Sequence, residues 1–340
     1  MMVYKTKVTI LCAIIAGLVV VYAGSLVFDP DLVSARDAAY AWLEVKSVPH
    51  VDGIELKSAN GVVTLIRKNA AWFVPVDGQD YPAKERRVED FLNFLSKKDS
   101  YPVRGAEAAS HERLGLLENG AARITVRDGA TPLLDLLVGN TDASANEVYL
   151  RKAGKNEARS GALSILNYVS SVKTAWYNLR LFPETEKLTA DDVQRMIVTL
   201  PPADDELSGG LSGEPVGASP PVAPAAPVTL TFVRSNGGWT VNGQEADAPK
   251  VEAYIRAILD AEGDDFVTGE IAGGASSDSA SFNEGRIVLE FGDGTSRVIS
   301  VGAKLDSNNR YASISRSPYV YSLAGWVVER LFKAESEFKK

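Results

Sequence analysis

The chain of 340 residues contains one cysteine and two histidines. Cys12 has no partner for a disulfide and lies inside an apolar run, too early for a lipid-attachment site, so the folded part is held by its core alone. His50 and His111, without a usable thiol, cannot assemble the common zinc sets. Both read as solvated surface residues: His50 follows a proline, and His111 sits in the polar stretch "ASHERLG". Runs rich in Lys and Arg are also missing, and the net charge is −8. That balance excludes tracking of a phosphate backbone, so no nucleic-acid partner is expected. There is no G-x-S-x-G elbow, no P-loop, and no G-x-G-x-x-G opening a βαβ unit. The expectation is a non-enzyme, with no catalytic, cofactor-binding or metal-ligating residue to nominate and no cofactor.

Carboxylates are plentiful. "DSNNR", Asp306 to Arg310, opens like a calcium loop, but Arg310 stands where a third oxygen ligand is needed and no Gly and distal Glu follow in register. It reads as a turn. Asp204, Asp205 and Glu206 fall in a Pro/Gly/Ser-rich stretch that could not hold an acid and a base in geometry. A hydrolase of envelope material would need two carboxylates converging elsewhere without a flanking motif.

What the chain does have begins with "VTILCAIIAGLVVVYAGSLVF", Val8 to Phe28, uncharged throughout. As a helix it is long enough to cross a hydrocarbon core of about 30 Å. Lys5 and Lys7 precede it, and Asp29 and Asp31 follow. This asymmetry predicts residues 1–7 in the cytoplasm, 8–28 as a single-pass anchor and 29–340 extracytoplasmic. Val21-Tyr22-Ala23 would also serve as a signal-peptidase site, but the run exceeds a usual signal h-region, which favours the anchor. Residues 29–50 read as a short helical stalk ending near Pro49.

The body repeats itself. Asn60-Gly61 and a turn at Asn69 divide residues 54–76 into a three-stranded meander ending beyond Trp72. A helix follows, read as starting at Asp80 and Pro82, with Val88, Phe91, Leu92 and Leu95 on one stripe. "ARITVRDG", "PLLDLLVGN" and "EVYLRKA" read as strands, and "SGALSILNYVSSVKTAWYNLRLF" as a closing helix. The same order returns: Trp72 matches Trp239, Gly78-Gln79 matches Gly243-Gln244, and the stripe matches Val251, Tyr254, Ile255 and Ile258. Further on, Arg123-Ile124 matches Arg286-Ile287, Asp128-Gly129 matches Asp293-Gly294, Val138-Gly139 matches Val301-Gly302 and Tyr149 matches Tyr311. Ordered matches at nearly constant spacing mean a duplicated unit.

The predicted class is therefore α+β, with two tandem units, each an antiparallel meander and sheet covered by helices, at 51–185 and 186–340. "RMIVTL" corresponds to "GIELKS" and "VTLTFVR" to "VVTLIRK". The low-complexity segment 201–227 thus occupies the place of Asn60-Gly61, as an overgrown hairpin loop and not a linker. Trp72 and Trp239 could form a platform for a sugar or peptide. Their matching positions instead argue for core packing, since duplicated binding residues would predict two sites.

These residues carry a resemblance. "AAWFV" with Trp72, "YPAKERRVEDFLNFL" from Tyr81, "ERLGL" from Glu112 and "LLVGN" ending at Asn140 together resemble the bacterial "domain of unknown function 4340" family, over residues 51 to about 183. "NYVSSVKTAWYNLRLF" resembles that family's closing segment, whereas the second unit departs, lacking the "GL" element. The resemblance implies a membrane-anchored envelope protein, often encoded near a gliding-motility-type ABC transporter auxiliary subunit and its permease, and it supplies no catalytic residues. The leading expectation is a non-enzymatic accessory of an ABC-type export system. The alternative is a ligand-binding or scaffolding module of the envelope, with a cleft or interface where the halves join.

Overall fold

The computed structural model describes residues 2–28, 39–201, 227–235, 238–268 and 282–340. By packing, the chain divides into Met1–Val74 with Ala83–Trp176, and Pro75–Pro82 with Tyr177–Lys340.

Among the described side chains of helix α1 (Met2–Phe28) there is no polar face: Leu11, Ile14, Leu18, Val19, Val20 and Val21 point outward in different directions and are all exposed. Its side chains are described without a break only over 11–24, which is shorter than a span. Among the described residues no helix is long and apolar enough to cross a membrane.

The first sheet has nine strands: β1 (Gly53–Ser58), β2 (Gly61–Lys68), β3 (Ala71–Val76), β4 (Gln79–Pro82), β5 (Val103–Gly105), β6 (Ala122–Asp128), β7 (Thr131–Thr141), β8 (Glu147–Lys152) and β9 (Ala158–Ala162). Their order is β4-β3-β2-β1-β6-β7-β8-β9-β5, and the registers given for neighbouring strands are antiparallel. Alternation builds the core: Ile54 and Leu56 of β1, Val63 and Leu65 of β2, and Ile124 and Val126 of β6 all turn inward and are buried, while Thr125 is covered on the opposite face. Helix α2 (Glu85–Ser96) buries Val88, Phe91, Leu92 and Leu95, a stripe at helical spacing. Each such side chain contributes on the order of 2 kcal/mol by leaving water.

The second sheet repeats this order strand for strand. Its members are β10 (Val193–Thr199), β11 (Thr229–Ser235), β12 (Gly238–Val241), β13 (Gln244–Ala246), β14 (Asp265–Phe266), β15 (Gly285–Phe291), β16 (Ser296–Lys304), β17 (Asn309–Ile314) and β18 (Val320–Ala324). The order is β13-β12-β11-β10-β15-β16-β17-β18-β14. With α3 (Leu166–Val169) a single short turn of the first unit, α4 (Ala248–Leu259) is the counterpart of α2 and buries Val251, Tyr254, Ile255 and Ile258. Asp247 caps it by accepting from Lys250 N–H, with Pro249 in the first turn. A last helix, α5 (Gly325–Leu331), follows β18. The α+β duplication read from the sequence is thus the architecture. The insertion lies mostly outside the described residues, but its flanks settle its setting: Thr199 faces Thr229 in the β10–β11 ladder, and Leu200 N–H donates to Val228 C=O.

Two local expectations are corrected. The helix does not begin at Asp80 and Pro82, because 79–82 form β4 and α2 starts at Glu85. The cause is a tight hairpin: Asp77 and Gly78 both have positive φ, as do Asn242 and Gly243 in the second copy. Two successive left-handed residues make the turn whose twist matches antiparallel strands. The closing "helix" is mostly something else, namely strand β9, single 3₁₀ turns and α3. Backbone pairing of Ala158–Ala162 with β8 claims its first residues.

The motifs "RLGL" and "VGN" prove to be one contact. Leu114 C=O accepts from Asn140 N–H at 3.0 Å, and a Cβ on Gly139 would overlap that same carbonyl oxygen. Gly115 has φ +70, and Leu114, Leu116, Leu137 and Ala158 form a shared buried cluster. The register of β7 shifts between Val138 and Thr141, and that of β16 between Val301 and Lys304. The matched Val-Gly pairs therefore mark the same bulge in both copies.

Candidate binding face of the first sheet

Alternation that turns Ile54, Leu56, Ile124 and Val126 inward must turn Glu55, Lys57, Arg123, Thr125 and Arg127 outward. On the neighbouring strand β7, Asp135 joins them. Register sets Glu55 opposite Thr125, Lys57 opposite Arg123, and Thr125 opposite Asp135. Arg123 grips Asp135 with both ends of its fork, Nε to Oδ1 at 2.7 Å and Nη2 to Oδ2 at 2.5 Å. That hydrogen-bonded pairing raises the Arg123 pKa. Glu118 lies 3.8 Å from Arg123 Nη1 and accepts from the buried Arg151 at 2.9 Å. Arg151 also donates to Leu116 C=O and Lys155 C=O, so the network is tied to the backbone around the "RLGL" contact.

These groups line a groove of about 530 Å³, and a second of about 370 Å³ shares Glu55 and Arg127 with it. Asp52 closes the end by accepting from Gly129 N–H at 2.8 Å. The chemistry is that of recognition: fixed charges of both signs on a rigid ladder, suited to a polar partner carrying complementary charges.

The second sheet does not repeat this face. By the same alignment, Glu55, Lys57, Thr125 and Asp135 become Ile197, Thr199, Val288 and Val298. The inward positions stayed apolar in both copies, and outward Arg123 has Arg286 in its place, whereas Glu55, Lys57 and Asp135 have no charged counterpart on the second sheet.

Trp72 and Trp239 are both buried, and each lies opposite an arginine on the adjacent strand, Arg67 and Arg234. The guanidinium carbons lie 6.0 and 5.0 Å from the ring centroids. His50 is exposed, but His111 is buried, not solvated: its Nε2 donates to Asn156 C=O at 2.8 Å. Asp306 accepts from Asn308 N–H, Asn309 N–H and the Asn309 side chain, which holds its pKa down and shapes the turn. Arg310 turns away to pair with Glu284. Asp204, Asp205 and Glu206 lie outside the described residues, and among the described residues no cluster of His, Cys, Asp or Glu could hold a metal ion. The Arg123–Asp135 pair was missed in the sequence, although "ARITVRD" and "PLLDLLV" show it as polar residues alternating with aliphatic ones.

No curated protein and no solved structure matches the chain. A family model does, from Trp72 in β3 through "YPA", "RLGL" and "VGN" to Glu284 just before β15, further into the second unit than the motifs alone reached. With residues 72–284 matched, the chain belongs to the family described as Domain of unknown function (DUF4340).

Proposed function

We propose that the chain is a non-enzymatic, membrane-anchored extracytoplasmic protein that acts as an accessory of an ABC-type transport system. The observation that carries the anchor is α1, whose exposed side chains are apolar on every side. A helix hydrophobic all round has no face for water and belongs in a core or a bilayer. In the sequence the apolar run extends from Val8 to Phe28, with lysines before it and aspartates after it, which orients 29–340 to the outside. The charged face of the first sheet is the surface offered to the transporter's subunits, and its duplicate supplies a second rigid body on the same chain. The accessory role rests on the family resemblance. The test is mild cross-linking in native membranes followed by purification: a permease or auxiliary subunit should come down with the wild type and be reduced with Arg123→Glu. Recovery of the protein with no transporter subunit sinks this reading.

A second reading, an envelope ligand-binding or scaffolding module, draws support from the 530 Å³ groove. Melting curves against peptides, glycans and lipids separate it, because a ligand of the native state must raise the melting temperature.

A further inference from the structure

Where the chain enters the first unit, Leu43 and Val45 are buried and Val45 N–H donates to Leu95 C=O, while Asp99 N–H donates to Tyr40 C=O. This lays residues 40–45 along the C-terminal end of α2, beside the exposed Lys97 and Lys98. Just before these buried anchors Trp42 is only partly covered, packed on Tyr101 with ring centroids 5.4 Å apart. Two cations stand at its ring: Lys152 Nζ at 5.3 Å and Arg159 Cζ at 5.5 Å from the centroid.

The two cations are not equally satisfied. Arg159 pairs with Glu157 at 2.7 Å and donates to Tyr101 C=O at 2.8 Å. Lys152 is partly buried, and among the described residues no carboxylate lies within ion-pair reach of it. Burial first, and the charge of Arg159 second, lower its pKa. An ammonium that is partly desolvated, set beside a like charge and given an indole face, carries a charge that an anion would complement. In a chain of net charge −8 this is a local reversal of sign.

The occupant follows from position. Trp42 comes shortly after the end of the apolar helix at Phe28, at most roughly 50 Å away along fully extended chain. We infer that Trp42, Lys152 and Arg159 form a headgroup site that takes the phosphate of an anionic phospholipid and seats the first unit on the bilayer that α1 enters. An indole flanked by long basic side chains has the makeup of a membrane-interface anchor. Lys97 and Lys98 extend the attraction over a range of about a Debye length, ~10 Å. The inference rests on the anchored reading.

The test uses the full chain in nanodiscs of phosphatidylcholine, with or without phosphatidylglycerol, and trace acetylation of lysines read by mass spectrometry. Lys152 should be labelled about fivefold more slowly in the anionic discs, the change expected for one cation at such a surface. The exposed Lys187 serves as control and should not change. Arg159→Gln should abolish most of the protection and Arg159→Lys retain it. Co-migration with the discs but equal labelling of Lys152 in both lipids overturns the headgroup site alone. Failure to co-migrate overturns the anchored reading and this site with it. Equal protection by inorganic phosphate in zwitterionic discs overturns the lipid assignment in favour of a soluble anion.

Discussion

Single residues carry much of this fold where two backbones come too close for a side chain. Gly139 is the clearest, because a methyl group there would overlap the Leu114 carbonyl and open the contact joining "RLGL" to "VGN". Gly139→Ala should destabilise the protein by about 1–3 kcal/mol, read as a shifted urea midpoint with the slope unchanged. His111→Ala should cost a similar amount, about 1–3 kcal/mol, since it strands the Asn156 carbonyl. Tyrosines set the alkaline limit. Burial, reinforced by Asp99, lifts the Tyr101 pKa to about 12, and burial with Asp265 does the same for Tyr177. Between about 10 and 12 the unfolded chain releases phenolic protons that the native state retains, so stability is full below about pH 10 and falls as pH rises toward 12. Melting temperatures measured across that range should decline, and less steeply for Tyr101→Phe. At the candidate face, Asp135→Asn leaves Arg123 half-paired on a partly exposed surface and should change stability by no more than about 1 kcal/mol. A loss of partner binding without a loss of melting temperature would mark the face as functional.

Among the elements, those with a strong local pattern were legible and those decided by long-range pairing were not. The stripe Val88, Phe91, Leu92, Leu95 announced α2, and Asn60-Gly61 announced the β1–β2 turn. β4 was hidden because Pro82 looks like a helix start, although Asp77-Gly78 carried the stronger hairpin signal. β9 was hidden because "ARSGA" has little strand character of its own and is held by β8 on one side and β5 on the other. Of the candidate face, the alternating charges were visible. Which of them would meet depended on the register of β1, β6 and β7, which no local window contains. The insertion between β10 and β11 makes a separate prediction. Replacing 202–226 with Asn-Gly should leave the Thr199–Thr229 register intact. It should raise stability by up to about 2 kcal/mol, since closing a long loop costs only logarithmically more than a short one. A large loss of melting temperature would mean the segment does more than connect.

On the scale of the whole molecule, the two sheets show what duplication preserved and what it released. Strand order, the left-handed pair before β4 and β13, the bulge after each Val-Gly and the arginine beside each buried Trp were kept. Of the outward charges, Arg123 was kept as Arg286, but Glu55, Lys57 and Asp135 gave way to Ile197, Thr199 and Val298. If the anchored reading holds, a reporter enzyme fused after Lys340 and active only outside the cytoplasm should be active, and deletion of 8–28 should release the protein from membranes. Activity on the cytoplasmic side would reverse the proposed orientation.

The outermost strands have a further consequence. Each nine-stranded sheet ends in its shortest members, four residues in β4, three each in β5 and β13, and two in β14. A long free edge is a template on which another chain can polymerise. A protein that doubled its sheet would also have doubled its borders, of which the one at β13 is bridged by Lys339 through Ala246. Tapering each border to a few residues gives an incoming strand too few hydrogen bonds to hold, so the duplication could be kept without becoming a seed for fibres.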